Sequence, residues 1–475
     1  MRESRGTNDF TQGSIPRHLI AFSVPMFVGN LLQVTYTTIN AVWVGRFLGP
    51  DALAAVSVSS PVIFALIALV TGLTIATTVL VSQCYGARQP DRVVRTVNNS
   101  VLLLAVLGVV TTAVGIGLRR PILALINTPP EIMGISAAYL AVYLVGLVPM
   151  FLYNAASAVL RGLGDSRTPM RFLVLATLLN MALDPLFIFG LGPFPRLGVP
   201  GAAWATVLAQ VLSAVLSIRY LYVSSNIVRY RPGTFRLDWE LTRLTFRIGL
   251  PAGVQQVLVS LSALVVSSVV NRFGAEVVAG FGAGQRFDQF TFLPAMSVGL
   301  AVSAVVGQNL GAGEIKRVHE TVKWAVLLSA GITFVVSVVA FAWPRLLMVP
   351  FTRDPAVVAE GSSYLRFMAF GYVPLAVMFA LGGVLRGAGD TVPTMLFSLF
   401  SLWLVRVPLA HFLSAMPSLG AHGAFLAIAA SPTAGMVASY LYYRRGRWQT
   451  KAVARRQPGP APDLLVPEPE TPGPV

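Results

Sequence analysis

Apolar residues along the chain are gathered into long runs, and Pro, Gly and charged residues separate one run from the next. A helix needs roughly twenty apolar residues to cross the hydrocarbon core of a bilayer. A spanning segment is helical because lipid offers its backbone no hydrogen bonds. The pattern predicts an all-α integral membrane protein with twelve transmembrane helices. The predicted spans are 18–45, 52–82, 93–117, 134–160, 169–190, 199–223, 243–270, 277–307, 320–343, 361–385, 392–414 and 421–443.

A hydrophilic stretch near the middle of the chain divides six predicted helices from six others. It places an N-terminal lobe at 1–225, a cytoplasmic linker at 226–242 and a C-terminal lobe at 243–445. The last segment, 446–475, begins basic and becomes Pro-rich, a composition that predicts a disordered cytoplasmic tail.

Charged residues make up 11% of the chain, whereas a soluble domain has about a quarter, so the composition excludes an ordinary cytoplasmic enzyme. The net charge of +16 raises the question of a nucleic-acid partner. However, most of the 35 Lys and Arg residues fall on alternate connections between the predicted helices. Basic residues concentrate on cytoplasmic loops of membrane proteins. The charge pattern therefore predicts that both termini are cytoplasmic and that no nucleic acid is bound.

The two halves of the chain resemble each other. The segment VLRGLGDSRTPM (Val159–Met170) recurs as VLRGAGDTVPTM (Val384–Met395), at an offset of about 225 residues. At nearly the same offset, Gln83 corresponds to Gln308 and Pro25 to Pro251. Because six helices separate the copies, both halves enter the membrane from the same side. This predicts two parallel six-helix repeats around a central cavity, an arrangement found in two-lobed transporters.

Several motifs at these spacings resemble the multidrug and toxic compound extrusion (MATE) family. They are the paired LRGxGD loops, VGQNLGAG at 306–313, VSQCYGA at 81–87, WVGRFLGPDALAA at 43–55 and LNMALDPLFIFG at 179–190. The resemblance implies export of small-molecule organic cations or drugs, driven by inward flow of protons or sodium and without a bound cofactor. It is closer to the DinF-like than to the NorM-like pattern. It also implies a monomer in the lipid bilayer of a bacterial inner membrane.

Of 19 acidic residues, only Asp184 and Asp288 fall well inside predicted spans. A charge at that depth costs about 2.5–3.5 kcal/mol on insertion scales, so it is a candidate functional group. Asp184 lies one helical turn after Asn180 on the same face, and Pro185 removes a backbone donor beside it. This arrangement predicts a proton or cation site, with a helix-to-helix hydrogen bond as the alternative. The resemblance carries Asn180 and Asp184 over as members of the first-lobe site of DinF-like relatives.

The first helix carries polar residues spaced three, four and three apart, which places them on one face. They are Asn30, Gln33, Thr37 and Asn40. Many relatives carry Asp at the position of Asn40. Since Asn does not titrate, either Asp184 works alone or coupling has moved elsewhere. The alternative role of the stripe is contact between helices.

The eighth predicted helix places Gln285, Arg286 and Asp288 at membrane depth. Arg286 and Asp288 are two residues apart and so face in nearly opposite directions. Arg406, in span 392–414, corresponds by the repeat to Met181, near the level of Asp184. We therefore expect an ion pair between Arg406 and Asp288, which would make Asp288 structural or gating. In the alternative, a free Asp288 binds a cationic drug.

The seventh predicted helix, 243–270, contains Gln255 and Gln256 but no acidic residue. Sodium-coupled NorM-like relatives typically have one there, so proton coupling is favoured over sodium. The candidate substrate-binding residues are Asn30, Gln33, Tyr36, Thr37, Gln255, Gln256, Gln285 and Asp288. The candidate structural or gating residues are Pro25, Arg161, Asp165, Arg286, Arg386, Asp390 and Arg406.

These features predict a secondary-active multidrug exporter that works by alternating access, with Asp184 as the titrating group and Asn180 and Asn40 beside it. A sodium-coupled MATE antiporter is one alternative. A lipid-linked precursor flippase of the same superfamily is a second, although it would line its cavity with several cationic residues. An intramembrane enzyme is another, but the chain has no HExxH or GxSxG motif and no cluster of metal-ligating residues. The two-lobed repeat disfavours a passive channel.

Overall fold

The computed structural model describes residues 8–191, 193, 195–224 and 236–455, and for 39–42, 44 and 224 it describes the backbone alone. This described part contains twelve helices long and apolar enough to cross a membrane, which confirms the predicted number. They are α1 (Ile15–Leu48), α2 (Pro50–Gly86), α3 (Pro90–Leu125), α4 (Pro130–Gly162), α5 (Arg167–Phe189), α6 (Val199–Val223), α7 (Trp239–Phe273), α8 (Ala275–Ala312), α9 (Ile315–Ala342), α10 (Pro355–Gly387), α11 (Thr391–Ser414) and α12 (Ala421–Arg444).

Many helices extend beyond the predicted apolar runs. The third predicted span, 93–117, lies inside α3, which runs from Pro90 to Leu125. Several helices, α3 and α10 among them, begin with proline in the first turn, where the missing N–H would have no helical partner. Polar residues can continue a helix outside the hydrocarbon core, so hydropathy alone underestimates helix length.

Helices α1–α6 form the first lobe and α7–α12 the second, and each lobe has its own buried apolar clusters. The start of α1 is an exception. Leu19 and Phe22 are fully buried in a cluster formed with Val298 and Val302 of α8. Helix α1 therefore begins against the second lobe, and it continues through the buried Pro25 toward its own lobe.

The lobes meet closely at one end of the bundle. Gly72 of α2 lies against the backbone of Gly249 on α7, and Gly86 lies against the backbone of Gln308 on α8. Both described chain ends contact this same end, because Phe10 and Val453 donate hydrogen bonds there. We call this end the terminal face.

Helix α11 is not regular throughout. Its central segment, Phe400–Arg406, is a π-helix, and Pro408 follows in the next turn. Proline cannot donate to the carbonyl four residues earlier, so it favours an irregular turn at this point. Isolated π-helical turns occur frequently at functional positions, and this one carries Arg406.

Candidate functional site

Asp184 is the centre of the first-lobe site. Its side chain is 0% exposed, and neither carboxylate oxygen has a hydrogen-bond partner among the described residues. A buried carboxylate without hydrogen bonds is strongly unfavourable unless it is protonated or paired with a cation. Among the described residues, Asp184 therefore forms no hydrogen bond to another helix. Its geometry suits a group that takes up a proton or a cation.

Asn180, one turn earlier on α5, belongs to a hydrogen-bonded chain beside Asp184. Its Nδ2 donates to the Thr206 hydroxyl of α6 at 3.3 Å, and that hydroxyl is 2.7 Å from the Tyr36 hydroxyl of α1. The Asn180 Oδ1 is buried and unpartnered. Tyr139 of α4 lies within electrostatic range of Asp184. Four helices thus contribute polar groups to one buried region.

Thr206 was not among the residues selected from the sequence. It is a common residue in an apolar run, whereas Asp184 stands out because carboxylates there are rare. The Thr206 hydroxyl also donates to the Ala202 carbonyl of its own helix at 3.1 Å, a common bond for threonine that gives no functional signal. The packing of α6 against α5 is what places the Thr206 hydroxyl between Asn180 and Tyr36.

The polar stripe on α1 does not act as one unit. Asn30 donates from Nδ2 to the Ser297 hydroxyl of α8 at 3.2 Å, so it connects the two lobes. The Thr37 hydroxyl bonds to the Val34 carbonyl of its own helix at 2.9 Å, and Gln33 is exposed. The side chain of Asn40 lies outside the described residues. The shared face predicted from spacing therefore serves several separate contacts.

The second-lobe carboxylate is surrounded differently. Asp288 is 5% exposed, and its two oxygens accept hydrogen bonds from Tyr372, at 2.6 Å, and from Tyr364. Both tyrosines lie on α10. The Nε of Arg406 instead donates to the Ser431 hydroxyl of α12 at 2.8 Å. The predicted ion pair between Arg406 and Asp288 is therefore wrong. Each side chain bonds to nearer hydroxyl groups, although the two charges still interact at longer range.

The remaining predicted residues of the second lobe separate into exposed and buried groups. Gln285 and Arg286 are exposed while Asp288 is buried, as the spacing along α8 predicts. Gln255 donates to the Ser398 hydroxyl at 2.6 Å and so joins α7 to α11. Gln256 is half-buried. These residues do not form a single cluster with the first-lobe site.

The paired LRGxGD loops lie at the terminal face. The Asp165 Oδ1 accepts hydrogen bonds from the backbone N–H groups of Arg167 and Thr168, both at 3.0 Å, at the start of α5. Asp390 instead accepts one from the Tyr442 hydroxyl of α12 at 2.6 Å. Arg386 is 8% exposed and its Nε has no partner among the described groups, while Arg161 is half-buried. The two carboxylates fix loop and helix positions.

Comparison with known proteins shows the same division of the chain into two similar halves. The MatE family model matches residues 25–186 and, a second time, residues 251–412. The probable multidrug resistance protein YpnP of Bacillus subtilis is 36% identical over 445 residues, which cover 93% of this chain and 97% of that protein. The probable multidrug resistance protein YoeA of the same species is 30% identical, with coverage of 94% and 97%.

Solved structures agree on the fold. A structure described as the outward-facing conformation of a multidrug resistance MATE family transporter superimposes with a TM-score of 0.86. It covers 95% of this chain and 99% of its own, at 24% sequence identity. The repeated family match and the full-length relatives together fix the class of protein. The chain belongs to the MATE family of multidrug efflux transporters, and it is a multi-pass membrane transporter rather than an enzyme.

Proposed function

We propose that this transporter is a proton-coupled antiporter that exports organic, often cationic, amphiphiles by alternating access, with Asp184 as its titrating group. The observation that carries the proposal is the complete burial of Asp184, with no hydrogen-bond partner for either oxygen among the described residues. Most buried carboxylates in proteins are hydrogen-bonded. An exception inside a transporter is a candidate for reversible protonation.

In the proposed cycle, Asp184 is ionised when the central cavity opens to the cytoplasm and takes up the drug. After the lobes rock outward, a proton reaches Asp184. The hydrogen-bonded chain through Asn180, Thr206 and Tyr36 lies beside Asp184 and joins α5 to α1, so we infer that a change in the charge of Asp184 acts on α1 through this chain. A change in α1 near Pro25 and Asn40 then expels the drug.

Substrate contact is assigned to polar residues that remain accessible on α1 and α8. Gln33, Thr37 and Gln285 are exposed. Asn30 and Gln255 already have side-chain partners, so they would contact a drug only after these bonds change. We assign Asp288 an organising role in the second lobe, because both of its oxygens are bonded to tyrosines.

The same proposal includes orientation and subtype. With both termini predicted cytoplasmic, close contact at the terminal face corresponds to an outward-facing state. The presence of Asn180 and Asp184 on α5, together with the lack of an acidic residue from Arg243 to Val270, favours the DinF-like pattern. We infer a monomer that works in the bacterial inner membrane.

Transport in proteoliposomes tests the assignment of Asp184. The expected result is that Asp184→Asn abolishes efflux of a fluorescent organic cation driven by an imposed pH gradient. Asp354→Asn is the matched control, since Asp354 is an exposed carboxylate that caps α10 and Asn caps helices equally well. Undiminished pH-driven efflux in the Asp184 variant would remove Asp184 from the mechanism.

The coupling ion is tested by imposing proton and sodium gradients separately on the unmodified protein. Proton coupling predicts acceleration by the pH gradient alone. Acceleration by sodium alone would replace the proton by sodium as the coupling ion. Movement of a lipid-linked pyrophosphate, with no efflux of cations under either gradient, would favour the flippase alternative.

A further inference from the structure

Two glutamines at corresponding positions of the repeats form reciprocal contacts between the lobes. Gln83 of α2 and Gln308 of α8 are both 0% exposed. The Gln83 Nε2 donates to the Gly387 carbonyl, at the end of α10 in the second lobe, at 2.8 Å. The Gln308 Nε2 donates to the Gly162 carbonyl, at the end of α4 in the first lobe, at 3.0 Å. Each lobe thus holds the other by the same bond.

The carbonyl oxygens of the same two side chains hold the chain ends. The Gln308 Oε1 accepts a hydrogen bond from the Phe10 backbone N–H at 3.0 Å. The Gln83 Oε1 accepts one from the Val453 N–H at 2.7 Å and another from Ala454 at 3.3 Å. We call residues 8–14 the N-strap and residues 447–455 the C-strap. The C-strap is part of the predicted disordered tail, of which 456–475 lies outside the described residues. The side-chain amide of each glutamine therefore donates to the opposite lobe and accepts from one of the straps.

The N-strap crosses from one lobe to the other. Asn8 donates from Nδ2 to the Gly164 carbonyl of the first lobe at 3.2 Å. The Phe10 carbonyl accepts hydrogen bonds from Asn309, at 3.2 Å, and Arg317, at 3.0 Å, both in the second lobe. The Phe10 side chain is 0% exposed. The N-strap is therefore anchored on both sides of the interface.

The C-strap also crosses from one lobe to the other. Trp448 is fully buried, and its Nε1 donates to the Tyr443 carbonyl of the second lobe at 2.9 Å. Further along, Gln89 of the first lobe donates to the Arg455 carbonyl at 3.2 Å. Each strap thus bridges the two lobes. The N-strap leads from the start of α1, against the second lobe, to Gly164 of the first lobe, and the C-strap leads from the end of α12 to Gln83 of the first lobe.

We propose that Gln83 and Gln308 are positioning residues of a latch that closes the terminal face, and that the N-strap and C-strap stabilise the closed latch. The inference rests on the alternating access in the proposed function, because the two lobes must separate at this face in one part of the cycle. Separation breaks the reciprocal bonds and exposes the amides to water. The latch therefore sets the ratio of open to closed molecules and takes no part in ion or drug binding.

Distances between spin labels, measured by double electron–electron resonance, test the latch without any drug or ion gradient. Spin labels are placed on Arg167→Cys and Lys316→Cys in a Cys84→Ser background, with the protein in lipid nanodiscs. Both label sites are exposed and lie on opposite lobes at the terminal face. The unmodified latch is expected to give one short-distance population.

Gln83→Ala and Gln308→Ala are each expected to add a longer-distance population and to raise the open-to-closed ratio about tenfold. A tenfold change in this ratio corresponds to about 1.4 kcal/mol. The double variant is expected to shift at least as far as either single one. Gln289→Ala is the control, because Gln289 is an exposed amide on the same helix as Gln308. A distance distribution in the double variant that equals the control overturns the latch.

Val453→Pro tests the C-strap with a smaller change. It removes the shorter of the two backbone hydrogen bonds to Gln83 and leaves both glutamines in place. Val453→Ala keeps that N–H and is its control. A larger open population in the Pro variant alone supports the claim that the C-strap stabilises the closed latch. Equal open populations in the Pro and Ala variants overturn that claim. This pair also keeps the latch testable if a glutamine variant fails to fold. The Asp184 efflux result has no influence on these distances, so the two proposals fail separately.

Discussion

At the scale of single residues, the two buried carboxylates differ in their partners: Asp184 has none among the described residues, whereas Asp288 accepts hydrogen bonds from two tyrosines. Asp184 and Asn180 could be predicted from the sequence because polar side chains are rare at membrane depth. Thr206 could not, since its hydroxyl can bond to its own helix backbone. Opposite charge suggested that Arg406 pairs with Asp288, but the two tyrosines that hold Asp288 come from α10, a helix whose position beside it no local pattern encodes.

Thr206→Val should slow pH-driven efflux several-fold. Valine matches threonine in shape but removes the hydroxyl that joins Asn180 to Tyr36, so protonation of Asp184 would be less well connected to α1. The rate of efflux in proteoliposomes measures the effect. Thr206→Ser keeps the hydroxyl and should transport nearly as fast as the parent. Equal rates for the Val and Ser variants would contradict a role for this hydroxyl.

At the scale of helices, hydropathy was sufficient for number and order because lipid permits few other structures. Irregularities were not predictable in the same way. The π-helical segment Phe400–Arg406 has no residue that breaks a regular helix, and only the nearby Pro408 indicates an irregular turn. The ends of helices beyond the membrane depend on capping and ion pairs, as the start of α7 illustrates.

Asp238 should make folding stability depend on pH. It caps α7 by accepting from the Glu240 and Leu241 N–H groups, and it pairs with Arg95 of α3. The hydrogen bond from Arg95 lowers the pKa of Asp238 below its usual value of about 3.9. A depressed carboxyl pKa stabilises the fold above about pH 4, and that contribution is lost as the pH falls further.

Asp238→Asn keeps the cap but removes the ion pair. We expect a lower unfolding temperature at pH 7 and a weaker loss of stability on acidification below about pH 4. The change should stay under about 1 kcal/mol because the pair is partly exposed. Thermal unfolding in detergent, measured across this pH range, gives the comparison. A variant whose acid slope matches that of the parent would show that Arg95 and Asp238 do not stabilise the fold.

At the scale of the whole molecule, the internal repeat predicted two similar lobes but not how they meet. Gln83 and Gln308 were recognisable as corresponding positions, yet their bonds run to carbonyl groups of the opposite lobe, and sequence similarity within one chain does not indicate contact. The meeting surface also depends on the absence of side chains. A Cβ added to Gly86 would lie 1.9 Å from the Gln308 carbonyl oxygen, and one added to Gly311 would lie 2.1 Å from that of Gln83.

Gly86→Ala should therefore open the terminal face. The added methyl group cannot be accommodated by a side-chain rotation, because its neighbour is backbone, so the two helices must move apart where they cross. Gly331→Ala is the matched control: Gly331 lies inside α9 with no neighbour within 4 Å of an added Cβ. Spin-label distances between positions 167 and 316 should lengthen for Gly86→Ala and not for Gly331→Ala. A helical Gly→Ala change away from contacts stabilises a helix by roughly 1 kcal/mol. Opening caused by Gly86→Ala but not by Gly331→Ala would therefore show that the added methyl group pushes the lobes apart, and that the effect does not come from a change in helix stability.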